Sequence, residues 1–206
     1  KLMIESDAGK KAFFSDLEYS EAGAFIVDKA KAFEQDLVLK VSAPSLEEIE
    51  LLKPNSYIIS ALQINLREKE YFKKLSEKKI NAIAYEFIED ENKEQMLVKL
   101  IGEIAGGMSV LCASEMLAVS KGLMLGGITG VRPVEVVVLG ADIVGEYAVR
   151  AAIGLGATVR VFDNSLSKLR NIQNSIGSRI STSMIDPKEL TKSLRRADVL
   201  IGTIPR

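Results

Sequence analysis

The stretch that decides the fold runs Val136-Val137-Val138-Leu139-Gly140-Ala141-Asp142-Ile143-Val144-Gly145. The apolar run before Gly140 reads as a strand buried on both faces; the glycine supplies a turn and a helical pattern follows. The spacing G-x-D-x-x-G is one residue away from G-x-G-x-x-G, the fingerprint that binds a dinucleotide within a βαβ unit. Asp163 follows 23 positions after Gly140, at the end of the next apolar run. A carboxylate there accepts hydrogen bonds from the adenosine ribose. Its charge would repel a 2′-phosphate, so NAD is expected in preference to NADP. The plain alternative is a glycine-bearing turn with a surface aspartate; strand context, spacing and the acidic residue together argue against it. The expected cofactor contacts are Gly140, Ala141, Asp142, Ile143, Val144, Gly145, Asp163 and Asn164. Thr203 joins them, because it lies just past a strand, where doubly wound sheets place ligand contacts.

Asp142 is the anomaly in this motif. The glycine normally found there lets backbone approach the pyrophosphate at the helix N-terminus, where N–H groups and the helix dipole attract anions. A carboxylate at that place can cap those N–H groups itself. Two unit charges about 4 Å apart at an effective dielectric near 20 repel by roughly 4 kcal/mol. Such a loss weakens binding by up to about a thousandfold, so low NAD affinity is expected.

Working outward, strand patterns at 135–139, 158–162, 179–183 and 198–203 alternate with helical patterns at 143–153, 165–176 and 187–197. That alternation predicts a parallel sheet joined by right-handed crossovers. A doubly wound dinucleotide domain usually has about six strands in the order 3-2-1-4-5-6. This chain stops after its fourth and leaves an apolar sheet edge, so a fragment of a longer protein is expected. Upstream, strands at 2–4, 37–41, 57–62 and 82–85 alternate with helical patterns at 16–23, 30–33, 45–52 and 66–78. Ser45 and Glu48 have capping-box spacing. Residues 66–78 set Leu66, Tyr71, Phe72 and Leu75 against a solvated Lys/Glu face. A long helical pattern over 94–120 is broken at Gly102 and Gly106-Gly107, and Gly122, Gly126, Gly127, Gly130 and Pro133 then form a hinge. The expected fold class is α/β with two Rossmann-like domains, the second an incomplete doubly wound dinucleotide-binding domain. The domains expected are 1–105, a connecting helix and glycine-rich hinge at 106–130, and 131–206.

The composition, 47% hydrophobic and 27% charged over 206 residues, is that of a soluble globular protein. Lys plus Arg is 27 and Asp plus Glu 28, a net charge of −1 that gives no electrostatic case for nucleic acid or an anionic membrane. No apolar stretch approaches the roughly 18 residues of a spanning helix, and residues 1–10 lack the apolar core of a signal peptide. No direct membrane insertion is therefore expected. A single cysteine, Cys112, excludes an internal disulfide, and a cytoplasmic location is expected. Its neighbours Val110, Leu111 and Ala113 predict a buried thiol; Met108, Met116 and Met124 read as core or interdomain filler. The chain has no histidine, which excludes His-based triads, His metal sites and His general bases within it. No Cys/Asp/Glu cluster has metal-ligand spacing.

A wider set of segments fits one pattern: Leu37-Val38-Leu39-Lys40-Val41-Ser42-Ala43-Pro44, Ala82-Ile83-Ala84-Tyr85-Glu86, Glu103-Ile104-Ala105-Gly106 and Leu125-Gly126-Gly127-Ile128-Thr129-Gly130-Val131. To these add Leu139 to Gly145, Gly154-Leu155-Gly156-Ala157 and Asp163. Across nearly its whole length the chain resembles the alanine dehydrogenase / pyridine nucleotide transhydrogenase family (alpha subunit, NAD(H)-binding domain). The resemblance implies a Rossmann-like substrate domain and a central NAD domain, with the nicotinamide in the cleft between them. It also implies that the family's first strand, with a substrate-binding arginine, would precede Lys1. Later strands and a catalytic aspartate would follow Arg206. Lys168 matches a family position near the adenosine ribose, although by itself it reads as a helix-surface lysine.

Two positions depart from the pattern. Ser42 stands where family alanine dehydrogenases place a lysine for the substrate carboxylate, and Lys40 matches the lysine before it. Gln63 aligns with the acid/base histidine. Serine carries no charge and glutamine cannot titrate near neutral pH. The expected function is an NAD-linked oxidoreductase acting on a small amino or oxo acid such as alanine or pyruvate, in a homo-oligomer, with no nucleic acid. One alternative is the NAD(H)-binding subunit of a proton-translocating transhydrogenase, docked on a membrane partner; exchange of hydride between two nicotinamides needs no general base. Another is a non-catalytic relic in which Asp142 impairs cofactor binding. Glu86 and Glu103 are candidates for a ligand cleft or for ordinary surface and helix-end roles.

Overall fold

The computed structural model describes residues 1–177 and 180–204, and its chain divides into two units, Lys1–Leu97 and Val98–Arg206. In the first unit, β1 (Met3–Glu5) pairs in parallel with β2 (Phe25–Val27), flanked by α1 (Asp16–Glu21) and α2 (Lys29–Phe33). A second parallel sheet follows, β3 (Leu37–Ser42), β4 (Tyr57–Ala61) and β5 (Asn81–Ala84), with α3 (Leu46–Leu51) and α4 (Lys69–Glu77) as crossovers. Helix starts are set by local chemistry: the Ser15 and Ser45 side chains take the N3 backbone N–H groups, and Asp28 caps α2. Phe33, Val38, Leu52 and Ile58 form one buried cluster, and Ile49, Tyr71 and Leu75 another.

Three features differ from the sequence expectation. β2 was not foreseen, because Phe-Ile-Val is too short to show a periodicity. The helix expected from residue 66 starts at Lys69; Ile64–Leu66 make a separate 3₁₀ turn after Gln63, whose backbone is left-handed (φ 51°). Leu66 is therefore exposed, while Tyr71 and Leu75 are buried.

α5 (Met96–Lys121) begins two residues before the second unit, which holds the rest of it and continues β6 (Glu135–Leu139), α6 (Ile143–Gly154), β7 (Thr158–Asp163), α7 (Leu166–Ile176), β8 (Ser181–Met184), α8 (Pro187–Leu194) and β9 (Val199–Gly202). Arg179, the expected start of β8, lies outside the described residues. The four strands are parallel in the order β8-β7-β6-β9, the third-second-first-fourth arrangement expected of a doubly wound sheet. Val136, Val138, Val149, Val161, Leu169 and Ile172 fill its core. Each strand–helix crossover delivers its loop to the carboxyl edge of the sheet.

The glycines of α5 do not break it. Gly102 and Gly106 face α6: a Cβ on Gly106 would lie 2.4 Å from the Val144 carbonyl oxygen and 2.8 Å from Tyr147 Cβ. Glycine costs a helix about 1 kcal/mol relative to alanine, but here it lets two backbones approach closely. The helix is thus continuous over 26 residues, long and apolar enough by length and composition alone to cross a membrane. This corrects the expectation that no such stretch exists; a helix packed in a protein core passes the same test. Val110 and Leu117 anchor α5 in the second unit's core, whereas Cys112, Met108 and Met116 are exposed on it, and Met124 is exposed beyond it. The buried thiol and core methionines expected from local apolarity are therefore corrected: Cys112, Met108 and Met116 fall on the side of the helix away from that core.

Gly106→Ala is expected to destabilise the chain by about 1–3 kcal/mol through overpacking. Gly107→Ala, where the space is open, should stabilise it by about 0.5–1 kcal/mol. Urea unfolding of both variants measures the contrast.

Candidate functional site

At the carboxyl edge of the second unit's sheet, β6 is followed by Gly140 with φ 111°, a backbone conformation that residues with side chains rarely adopt. A Cβ there would meet Thr203 Oγ1 at 2.2 Å, and a Cβ on Gly145 would come within 2.0 Å of the Gly140 carbonyl oxygen. Both glycines are thus required by close packing between the turn, the start of α6 and the end of β9. Thr203 is tied to β6 through its backbone N–H (2.7 Å) and its hydroxyl (3.0 Å), both donating to the Leu139 carbonyl.

Asp163 is buried at the end of β7. One of its carboxylate oxygens accepts the Ala141 N–H (2.8 Å) and the other the Ser165 N–H (2.7 Å). The carboxylate therefore fastens the glycine turn to the β7–α7 turn, and each oxygen keeps a further acceptor site. Asp142, in extended conformation, is the N-cap of α6 and accepts the Gly145 N–H at 3.1 Å.

Gly140, Asp142, Asp163, Asn164, Lys168 and Thr203 line one cleft of about 100 Å³, together with Ile185 and Ile204. The other four candidate residues do not line it. Ala141 and Gly145 are buried beneath the turn, and Ile143 and Val144 pack their side chains towards Gly102 of α5. Ile185 and Ile204 escaped the sequence reading. Each follows the carboxyl end of a strand, the same positional signal that singled out Thr203.

The first unit carries a second group of polar side chains at its strand ends. Ser42 closes β3 and is exposed, with the Lys40 ammonium 2.7 Å from its Oγ. Lys40 also lies 3.5 Å from Glu48, and Lys29 lies 2.8 Å from the same carboxylate. Burial works to raise the Glu48 pKa. The Lys29 hydrogen bond, the Ser45 N–H and the two ammonium charges outweigh it and hold the carboxyl below its usual range. After β4, Glu86 accepts the Leu62 N–H (3.1 Å) and the Gln63 N–H (2.6 Å), which secures the left-handed residue. Arg67 donates to the Leu62 carbonyl at 3.0 Å and to the Gln63 side-chain oxygen at 3.4 Å. Tyr85 donates to the Val41 carbonyl, binding the ends of β3 and β5 together. In the second unit, Glu103 of α5 accepts the Tyr147 hydroxyl of α6, which pushes the phenol pKa up.

Family models for the N-terminal and C-terminal domains of alanine dehydrogenase/PNT match residues 1–105 and 109–205. The chain belongs to the alanine dehydrogenase/PNT family. It is 34% identical over 209 residues to an alanine dehydrogenase of Methanococcus maripaludis, covering 99% of this chain and 56% of that protein. It is 31% identical to alanine dehydrogenase 2 of Staphylococcus aureus, covering 98% and 55%. A solved L-alanine dehydrogenase superposes with a TM-score of 0.83 at 33% identity, covering 96% of this chain and 56% of that one. A transhydrogenase from Sinorhizobium meliloti, at 23% identity and a TM-score of 0.80, covers 98% and 59% and shares the fold. The chain spans about half the length of the curated relatives it matches. The α/β, Rossmann-like fold expected from the sequence is that of this oxidoreductase family.

Two measurements test the roles of the buried carboxylates. Asp163→Asn replaces one acceptor oxygen with an NH₂ group that faces a backbone N–H, and is expected to cost about 1–3 kcal/mol in urea unfolding. Glu48 contributes its stability above the unfolded carboxyl pKa and loses it as pH falls through the lower folded value. As the pH falls from about 5, the native chain should therefore lose more stability than Glu48→Gln, measured by urea unfolding at a series of pH values.

Proposed function

We propose that the chain is the cofactor- and substrate-binding part of an NAD-linked dehydrogenase acting on a small amino or oxo acid of the alanine/pyruvate class. The observation that carries this reading is the cleft in which Gly140, Asp163, Asn164, Lys168 and Thr203 converge at the carboxyl edge of a 3-2-1-4 sheet. The fit to an adenine dinucleotide rests on three features. Gly140 and Gly145 let the turn, the start of α6 and the end of β9 lie against one another beside the cleft. Asp163 retains acceptor sites for the ribose hydroxyls. Ile185 and Ile204 offer apolar surface to a purine.

When bound, NAD supplies the hydride acceptor; this chain binds and orients it. Because backbone N–H groups hold both Asp163 oxygens, the carboxylate cannot swing aside for a 2′-phosphate. This favours NAD over NADP, with Lys168 at the mouth of the cleft. Asp142 opposes binding, since its carboxylate already takes an N–H of the α6 first turn, where a pyrophosphate would sit.

The second reading is an NAD(H)-binding transhydrogenase component, and the Gln63 position favours it. Gln63 offers an amide to Arg67, with no proton to exchange near neutral pH. Hydride exchange between two nicotinamides requires ring positioning and no general base. Ser42 bears on the first reading alone, because a serine brings no charge to pair with a substrate carboxylate.

Titration of the full-length protein with NADH, followed by nicotinamide fluorescence, should show weak saturable binding that Asp142→Gly tightens by about tenfold or more. Alanine-dependent NADH production supports the dehydrogenase, and NADH-dependent reduction of an NADP analogue the transhydrogenase. Absence of NADH binding in both the native protein and Asp142→Gly removes the cofactor reading altogether.

A further inference from the structure

We propose that the exposed basic face of α8 docks the acidic loop at residues 89–94 of a second copy of this chain. The inference stands apart from the dehydrogenase reading, because neither surface lines the cofactor cleft. The net charge of −1 conceals a division between the two units. Residues 1–97 hold 14 Lys and Arg against 19 Asp and Glu, a net −5; residues 98–206 hold 13 against 9, a net +4. A chain charged in this way attracts another copy most strongly when unlike units face each other.

On the second unit the excess is gathered on α8. Asp186 caps the helix by accepting the Lys188 and Glu189 N–H groups, both at 3.0 Å, and Pro187 opens its first turn. On the inner side Ser193 is buried; its hydroxyl accepts from Arg160 of β7 at 3.1 Å and donates to the Glu189 carbonyl at 2.8 Å. The helix is thereby held with Lys188, Lys192 and Arg195 exposed along one line, at spacings of four and three residues that span about 10 Å. With Pro187, Thr191 and Arg196 they line one shallow groove. Arg196 has Glu135 at 3.2 Å, whereas Lys188, Lys192 and Arg195 have no ion pair among the described residues. Like charges at that spacing destabilise a helix, and an acidic occupant relieves the repulsion.

Matching charge lies on the first unit in the run Glu89-Asp90-Glu91-Asn92-Lys93-Glu94, all of it exposed. Its net charge is −3, equal and opposite to the three unpaired cations of α8. Glu89 and Glu91 have no ion pair among the described residues. The Asp90 carboxylate accepts the Asn92 and Glu94 N–H groups at 2.9 and 2.8 Å, so the loop is already folded and loses little freedom on docking. Exposed ion pairs contribute little one at a time; a complementary set fixes register and speeds encounter, and salt screens it. Loop and helix are different surfaces, so the contact occurs twice in a two-fold pair or repeats around a head-to-tail ring.

Sedimentation of the full-length protein tests this. Self-association should weaken by about tenfold or more between about 0.05 and 0.5 M salt. At the lower salt, a variant carrying Lys188→Glu, Lys192→Glu and Arg195→Glu should associate about tenfold more weakly than the native protein, and so should one carrying Glu89→Lys and Glu91→Lys. Mixed, the two variants should regain most of the association, because the native loop of one meets the native helix of the other and the reversed surfaces also match. Damage to α8 cannot produce that recovery. No association, association indifferent to salt, an unaffected α8 variant, or a mixture no tighter than its components overturns the proposal.

Discussion

The second unit depends on one buried carboxylate. Asp163 ends β7, and its two oxygens hold the N–H groups of Ala141 and Ser165. Without it, the turn at Gly140 would leave a buried backbone donor unsatisfied, and such orphaned groups cost more than a typical hydrogen bond returns. The clamp sets the register between the end of β6 and the end of β7, and so the depth and width of the cleft above them. Gly140 and Gly145 are the steric counterpart. Their missing side chains let the turn, α6 and Thr203 lie against one another at distances no Cβ would permit.

The same device recurs in the first unit. Glu86 holds Leu62 and Gln63, and Glu48 completes a capping box with Ser45 while gathering two lysines. Two carboxylates that the sequence nominates for ligand contact, Asp163 and Glu86, are thus engaged in fastening backbone at strand ends. In a fold whose ligands lie at the carboxyl edges of sheets, rigid strand ends are what hold binding groups in place. Structural work by Asp163 does not remove it from the cleft; it fixes where its remaining acceptor sites point.

The parallel core of the second unit was legible because its strands are apolar runs between glycine turns, and its strand order follows from right-handed crossovers. Ser45 with Glu48 announced a helix start for the same reason, since the motif is local. What escaped depends on contacts distant in sequence. Gly102 and Gly106 look like helix breakers until α6 is seen lying against them. Cys112 looks buried among apolar neighbours until the helix turns it outward. Ile185 and Ile204 have no motif of their own, and only the sheet order brings them beside Asp163. Within the predicted motif, the pattern named the right loop but could not separate Gly140 and Asp142, which face the cleft, from Ile143 and Val144, which face α5.

Gln63 holds a left-handed backbone (φ 51°, ψ 53°), secured through its own N–H by Glu86 rather than through its side chain. Histidine is among the residues found more often than most in that conformation. Glutamine and histidine codons differ only in their third base. An ionisable imidazole at this loop is therefore one nucleotide away, on a main chain already shaped to receive it.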